Sequence, residues 1–136
     1  MKSYNQPHVV PLTKLGESAT GYITVGDSNM VPFSIKRTFW TYYTPENIVR
    51  GRHAHHQTEQ FLIAVCGKII VNTETADKQI QTFVLSDPTQ GLYIPPNVWH
   101  TMQYSHNAVQ LVLASTDYDE KDYIRNYDDF LSIWGK

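Results

Sequence analysis

The chain has 136 residues, with 13 acidic and 11 basic side chains and a formal net charge of −2. The basic residues are scattered and form no stripe, which argues against nucleic acid as a partner. The longest apolar run, FLIAVCGKII, is interrupted by Gly67 and Lys68 and falls short of the ~20 residues that cross a bilayer. The length suits a single domain over residues 1–136, since a chain of this size buries roughly two-thirds of its unfolded surface.

The sequence also indicates a cellular compartment. The N-terminal stretch MKSYNQPHVVPLTKL has neither the apolar core nor the small-residue cleavage site of a secretory signal. The single cysteine, Cys66, has no partner for an internal disulfide, which agrees with a reducing compartment. We therefore expect a cytoplasmic protein, with Cys66 buried as a small core residue.

Most of the chain is typical of short β-strands. PFSIKRTFWTYY alternates, so that Phe33, Ile35, Arg37 and Phe39 would share one strand face. Further strand-like segments follow at short spacings, separated by turn residues: QFLIAV, KIIVNTE, KQIQTFVL, GLYIP and AVQLVLAS. Several short strands at this spacing predict an antiparallel sandwich or barrel.

The last segment, DYDEKDYIRNYDDFLSIW, has a different pattern. It opens with acidic residues, which favour a helix N-terminus. Tyr123, Tyr127, Phe130 and Trp134 recur at helical spacing. The segment therefore predicts one amphipathic C-terminal helix with these aromatic side chains on one face.

The stretch RGRHAHHQTEQ, residues 50–60, holds three of the six histidines. On a strand, His53 and His55 would point the same way, with Ala54 turned away. The ligand pattern of a cupin has two halves. The first is an H-x-H pair with a carboxylate about four residues later, and the second is a glycine and a distant histidine behind a proline-rich turn. GLYIPPNVWH supplies the second half, ending in His100. We therefore predict an all-β, cupin-type double-stranded β-helix, or jelly roll, with a short C-terminal α-helix.

The third ligand of that pattern decides between a metal site and a metal-free one. Counting forward from His55 reaches Glu59, whereas counting back from Gly67 reaches Gln60, and adjacent strand residues face opposite sides. A strand placed by Gly67 turns Gln60 into the cavity, and a neutral amide in place of a carboxylate weakens cation binding. We therefore predict no metal and no cofactor. Because three histidines alone can bind Zn or Fe, a metal-dependent cupin enzyme using His53, His55 and His100 is the alternative.

Without a metal, imidazoles with an ordinary pKa of ~6.5 suit proton transfer near neutral pH. We expect the remaining histidines, His8, His56 and His106, at the surface. Arg37 and Arg50 offer planar sets of donors that fit a phosphate or an enolate oxygen. An inward Arg37 among apolar side chains would be destabilising unless an anionic ligand paired with it.

Several segments together resemble the dTDP-sugar 3,4-oxoisomerases of the FdtA and WxcM-like cupin group. They are PFSIKR, RGRHAH, EQFLI, GLYIPPNVWHTM, LVLAS and YDEKDYIRNYDDF, and they span roughly Gly21 to Phe130. The resemblance implies a metal-independent homodimer that converts dTDP-4-oxo-6-deoxy-glucose to its 3-oxo isomer through an enediolate. It also implies site roles: His53 is the base at C3, His55 relays protons, and the substrate is bound by Arg37, Arg50, Gln60, His100 and Tyr22.

One departure from the family stands out. The family has tyrosines shortly after the KR pair, where this chain has Phe39 and Trp40. Tyr42, Tyr43 or Tyr22 is then the candidate replacement for the missing phenol. The departure also leaves open a second alternative, a sugar-nucleotide binding homologue without turnover. The sequence does not fix the configuration of the product at C4.

Overall fold

The computed structural model describes residues 6–134 and consists largely of antiparallel strands. The strands, in chain order, are β1 His8–Pro11, β2 Thr13–Glu17, β3 Gly21–Val25, β4 Arg37–Tyr42, β5 Val49–His55, β6 Gln60–Cys66, β7 Ile69–Glu74, β8 Ile80–Leu85, β9 Gln90–Ile94, β10 Trp99–Tyr104, β11 Val109–Ala114 and β12 Tyr123–Ile124. A 3-10 turn, Glu120–Asp122, precedes β12, and one α-helix, α1 Tyr127–Trp134, follows it.

The strands form two five-stranded sheets and one hairpin. The first sheet has the order β1-β9-β6-β11-β4, and the second has the order β12-β5-β10-β7-β8. Among residues 6–134, β2 pairs only with β3. The largest buried cluster lies between the two sheets, with Leu62, Leu92 and Val112 from the first and Val71 and Met102 from the second. The predicted all-β, double-sheet architecture is therefore confirmed.

Strand β6 is buried on both faces, which explains its continuous apolar sequence. Leu62 lies in the core between the sheets, whereas Phe61 lies on the opposite face of the strand, in a second buried cluster with Leu12 and Val31. Burial ends before the end of the strand, and Cys66 is exposed. The expectation of a buried Cys66 was therefore wrong.

Strand β4 is shorter than its sequence pattern predicted. It begins at Arg37, and Ile35 before it is exposed. Phe33 packs against the outer cluster of the first sheet, with its ring centroid 6.4 Å from that of Tyr93. Of the predicted inward face, only Arg37 and Phe39 remain on β4.

The C-terminal helix is also shorter than predicted. Asn126 caps it by accepting a hydrogen bond from the backbone N–H of Asp129 (3.0 Å), and the residues before Asn126 form the 3-10 turn and β12. Tyr123 therefore pairs with His55 across a sheet instead of joining the helix face. Phe130 packs with Ala54 behind β5, and the side chain of Trp134 lies outside the described residues. No helix within residues 6–134 is long and apolar enough to cross a bilayer.

Candidate active site

A cavity of about 210 Å³ opens between the two sheets, and we call it the histidine cavity. Its polar lining consists of Thr41, Arg50, His53, Gln60, His100, Tyr104, Gln110, Tyr123 and Arg125. Phe39, Leu62, Met102 and Val112 supply an apolar part of the wall. A concave, half-apolar site with a few convergent polar groups is typical of small-molecule sites.

A β-bulge in β5 sets the direction of the arginine and histidine side chains. His53 pairs with His100 and Gly51 with Thr101, so Arg52 is an extra residue, with a positive φ of 56°. The bulge reverses the alternation of the strand. Arg50, opposite the inward Met102, therefore faces the cavity, as His53 does. Strict alternation from His53 would have turned Arg50 away.

Three imidazoles cluster at one side of the cavity. The ring centroid of His53 lies 5.0 Å from that of His55 and 4.6 Å from that of His100. One nitrogen from each ring lies within 4.8 Å of the others. His53 and His100 line the cavity, whereas His55 lies behind them and is only 3% exposed. The predicted H-x-H pair and the distant His100 are thus brought together.

Each imidazole is fixed through its Nδ1 atom. Nδ1 of His53 lies 3.0 Å from the Gly51 carbonyl oxygen, and Nδ1 of His100 lies 3.1 Å from that of Val98. Nδ1 of His55 lies 3.2 Å from Oδ2 of Asp122. Carbonyl and carboxylate oxygens only accept, so in each neutral ring Nδ1 carries the proton and Nε2 keeps a free lone pair. Within residues 6–134, the Nε2 atoms of His55 and His100 are buried without a partner.

Burial keeps these imidazoles neutral. Desolvation, with the neighbouring charge of His53, lowers the pKa of His55 to about 4, although Asp122 opposes the shift. Desolvation also lowers the pKa of His53, against the hydrogen bond to Gly51. The pKa of His100 lies well below its ordinary value because the ring is fully desolvated. At neutral pH the cluster therefore presents bases with free lone pairs.

Asp122 anchors His55 to the loop between β5 and β6. Its carboxylate accepts from the backbone N–H of Gln57 (2.8 Å) and of Thr58 (3.2 Å), from the Thr58 hydroxyl, and from Nδ1–H of His55. Burial alone would raise the pKa of Asp122, but these hydrogen bonds and His55 hold it below its ordinary value. Asp122 therefore stays ionised and fixes the orientation and tautomer of His55.

The C-terminal segment brings the phenol of Tyr123 and the guanidinium of Arg125 close to the histidines. The Tyr123 ring centroid lies 5.1 Å from that of His53 and 4.4 Å from that of His55. Arg37 donates to the Tyr123 hydroxyl over 3.3 Å, and the Arg125 guanidinium lies 4.4 Å from the Tyr123 ring centroid. Sequence reasoning missed Asp122, Tyr123 and Arg125 as site residues, because the helix prediction covered them. The segment DYIRNYDDF had carried the only signal, as part of the family resemblance.

The register of β6 agrees with the count from Gly67. Gln60 begins the strand, is 4% exposed and lines the histidine cavity. Glu59 lies outside the cavity lining, and its Oε1 accepts from the Tyr93 hydroxyl over 2.6 Å. Gly67 ends the strand with a positive φ of 74°, where a Cβ would lie 2.6 Å from the Cα of Ala108. The predicted facing of Gln60 is therefore confirmed.

The other histidines and Arg37 were also placed by the sequence. His8, His56 and His106 are exposed, as expected. Arg37 is half-buried behind Tyr123, and its Nε is buried without a partner among the described residues.

Tyr22 does not line the cavity of its own chain, so its role as a substrate-binding residue stays a prediction. It lies on the isolated β2–β3 hairpin, 55% exposed, with the ammonium group of Lys14 4.1 Å from its ring centroid. Tyr42 and Tyr43 are likewise exposed. None of the replacement tyrosines that the sequence suggested lines the cavity.

The donor set fits a transition metal only in part. The three converging imidazoles of His53, His55 and His100 could coordinate Zn or Fe through nitrogen. The neutral Gln60 adds no negative charge, and Arg37 and Arg125 add positive charge that lowers the pKa of His53. These charges oppose a cation at the same place.

Comparison with known proteins places the chain in a family. The model of the family described as FdtA, WxcM-like, C-terminal, matches residues 5–135. TDP-4-oxo-6-deoxy-alpha-D-glucose-3,4-oxoisomerase from Aneurinibacillus thermoaerophilus is 39% identical over 123 residues, which are 90% of this chain and 88% of that protein.

Two solved structures share the fold closely. A 3,4-ketoisomerase from Helicobacter canadensis matches with a TM-score of 0.90 and 31% identity, over 98% of this chain and 100% of that one. QdtA, a sugar 3,4-ketoisomerase from Thermoanaerobacterium thermosaccharolyticum in complex with TDP, matches with a TM-score of 0.89 and 34% identity, over 95% and 94% of the two chains. The chain therefore belongs to the FdtA (WxcM-like, C-terminal) family and has the cupin-type jelly roll that its sequence predicted.

Proposed function

We propose that this protein is an isomerase that converts dTDP-4-oxo-6-deoxy-glucose to a dTDP-3-oxo-6-deoxy-hexose. The observation that carries the proposal is the cluster of neutral imidazoles, each with its Nδ1 engaged and its Nε2 free, beside a cavity that arginine side chains also line. The relatives named above as TDP-sugar 3,4-ketoisomerases support the substrate class.

The reaction needs a base, a support for an oxyanion and a proton relay. His53 takes the proton from C3, which the adjacent C4 carbonyl makes acidic, and the electron pair of that bond forms a C3=C4 double bond. The C4 oxygen takes up the negative charge. Transfer of the 3-hydroxyl proton to the C4 oxygen, with return of a proton to C4, then leaves the ketone at C3. Protons and electrons balance within the sugar, so the reaction requires no external oxidant or reductant.

The other residues have roles that follow from where they lie. His55 relays protons between the two oxygens or to C4, through the buried Nε2 that Asp122 orients from the opposite side of the ring. His100 and Gln60 line the part of the cavity that holds the sugar. Arg37 and Arg50 support the diphosphate or the enediolate. Arg50 lines the cavity, whereas Arg37 lies outside the lining and is joined to it through the Tyr123 hydroxyl.

The cavity holds the sugar, and the nucleotide extends through its opening. A volume of about 210 Å³ lies below the 300–1,000 Å³ of pockets that enclose drug-sized ligands, so the whole substrate does not fit inside. Arg50, which lines the cavity yet is exposed, is placed to meet the diphosphate at that opening.

A metal-dependent cupin enzyme is the second candidate, favoured by the convergence of His53, His55 and His100. Elemental analysis of the purified protein separates the two proposals. The metal-free mechanism predicts sub-stoichiometric Fe, Mn and Zn and full activity after dialysis against a chelator. Stoichiometric metal, with loss of activity on chelation and recovery on adding the metal back, would establish the alternative.

We further propose that the enzyme is a cytoplasmic homodimer. In the part of the chain that the structure describes, the β2–β3 hairpin pairs with neither large sheet and leaves Leu15, Tyr22 and Ile23 exposed at 52%, 55% and 65%. A second copy would cover this surface, and a contact of Tyr22 with substrate would then belong to the dimer. Light scattering should give twice the 15.7 kDa of the chain, and Ile23→Glu should shift the protein toward monomer. An unmodified protein that stays monomeric at high concentration would contradict the proposal.

The proposed cytoplasmic location is in keeping with Cys66, whose thiol is free, as expected in a reducing compartment.

The decisive experiment is incubation of the purified protein with dTDP-4-oxo-6-deoxy-glucose, followed by ¹³C NMR. The carbonyl signal should move from C4 to C3, and the coupling of the new C4 proton gives the configuration there. Tight binding of the nucleotide sugar without any change in the carbonyl position would instead identify a binding protein.

A further inference from the structure

The enediolate of the proposed reaction needs a hydrogen-bond donor at the C4 oxygen. The three clustered histidines do not offer one from their free nitrogens, because His53, His55 and His100 all hold their proton on Nδ1. Their Nε2 atoms can accept protons and cannot donate them until one has been taken from the substrate. A neutral donor must therefore come from elsewhere in the site.

Two tyrosines line the histidine cavity, and their hydroxyl protons differ in whether an acceptor takes them. The Tyr104 hydroxyl donates to Oε1 of Gln110 over 3.2 Å, and burial raises its pKa to about 12. The Tyr123 hydroxyl accepts from Arg37, and within residues 6–134 no acceptor takes its own proton. Of these two hydroxyls, Tyr123 is thus the one whose proton is free for a ligand.

The position of Tyr123 and the positive charges beside it also suit this task. Its ring packs edge-on against both His53 and His55, so the hydroxyl belongs to the same side of the cavity as the base. Arg37 at the oxygen and Arg125 over the ring both stabilise negative charge that develops next to the phenol. A preorganised donor of this kind acts most strongly on the charged intermediate.

We infer that the Tyr123 hydroxyl is a catalytic donor that holds the C4 oxygen of the sugar as the enediolate forms. The hydroxyl comes from β12, whereas on β4 Phe39 presents a plain ring to the cavity and Trp40 is exposed. The inference deepens the proposed function and rests on it.

The test compares Tyr123→Phe with the unmodified enzyme on dTDP-4-oxo-6-deoxy-glucose. Loss of one oxyanion donor should lower kcat by about 100-fold, with KM changed by less than about three-fold. Affinity for dTDP and the melting temperature should stay close to those of the unmodified enzyme. Tyr127→Phe is the matched control, because Tyr127 does not line the cavity and its hydroxyl donates to Oε1 of Glu74, 2.9 Å away. Removing that hydroxyl should leave kcat within about two-fold of the unmodified enzyme.

Two outcomes would overturn the inference. One is a kcat for Tyr123→Phe within about three-fold of the unmodified enzyme. The other is a loss of activity matched by an equal loss of dTDP affinity or by a lower melting temperature, which would assign Tyr123 a structural role. Failure of the proposed function itself would look different, because the unmodified enzyme would then leave the substrate unchanged.

Discussion

Two segments build the site, and they hold their side chains in different ways. Strand β5 lies inside a sheet, hydrogen-bonded to β10 on one side and to β12 on the other. The C-terminal segment Glu120–Arg125 is held by a two-residue strand, a 3-10 turn and side-chain hydrogen bonds. The sheet thus fixes where the bases lie, while the segment sets the tautomer of His55 and brings Tyr123 and Arg125 beside the bases. Changes in β5 should therefore abolish the chemistry, and changes in the segment should tune it.

The largest effect is expected for His53→Asn. Removing the base at C3 should lower kcat by roughly 100- to 10,000-fold, since a positioned general base contributes that much. The matched control is His56→Asn, three residues along and exposed, which should keep at least half the activity. Steady-state kinetics measures both. Equal losses in the two variants would remove the distinction between inward and outward histidines.

Asp122→Asn should have an intermediate effect. An amide cannot hold the tautomer of His55 as a carboxylate does, and loss of such a partner typically costs about 10- to 100-fold in activity. The variant also weakens the hydrogen bonds to Gln57 and Thr58, so the free energy of unfolding should fall by about 1–2 kcal/mol.

Kinetics and urea unfolding measure the two effects, with Asp117→Asn, exposed nearby, as the control. Unchanged kcat in Asp122→Asn would mean that His55 needs no partner.

Stability should depend on pH through the buried histidines. The folded pKa of His55 is about 4, against 6.5 unfolded, so between these values the unfolded chain binds the extra proton. The contribution of His55 to the free energy of unfolding should therefore be at its maximum above pH 6.5. It should fall by about 3 kcal/mol as the pH drops to about 4. Chemical denaturation across this range measures it. A stability that stays flat or rises on acidification would contradict neutral burial.

The smallest effect is expected for Glu120→Gln. Arg125 donates to Glu120 over 2.7 Å and 3.1 Å, and this pair holds the pKa of Glu120 at about 2. Both side chains are more than half exposed, so solvent screens the pair. We expect kcat/KM to change by less than about three-fold, with the melting temperature nearly unchanged. A loss comparable to that of Asp122→Asn would show that Arg125 needs this partner to serve the cavity.

The facing of the site residues on β5 and β6 could be predicted from the sequence, because strand alternation and one glycine determine most of it. His53, His55 and Gln60 could be placed by counting along strands, and Gly67 fixed the count because its turn needs a positive φ. The inward position of Arg50 depends on a bulge at Arg52, which no alternation pattern reveals.

The other half was hidden by an accidental periodicity. Tyr123, Tyr127 and Phe130 repeat at helical spacing, yet Asn126 caps the helix and leaves Tyr123 on a strand. The hydrogen bonds of Asp122 to a loop more than sixty positions earlier are tertiary contacts that local patterns do not encode. The separate β2–β3 hairpin that carries Tyr22 is likewise a feature that no local pattern reveals.

The central claim is that neutral imidazoles, without a metal, take the C3 proton of the sugar. Incubation of the chelator-treated enzyme with dTDP-4-oxo-6-deoxy-glucose in deuterated water, followed by NMR, tests it most directly. We expect solvent deuterium at C3 of the remaining substrate or at C4 of the product, and none when His53→Asn replaces the enzyme. No deuterium at either carbon, or deuterium only after a divalent metal is restored, would contradict the account.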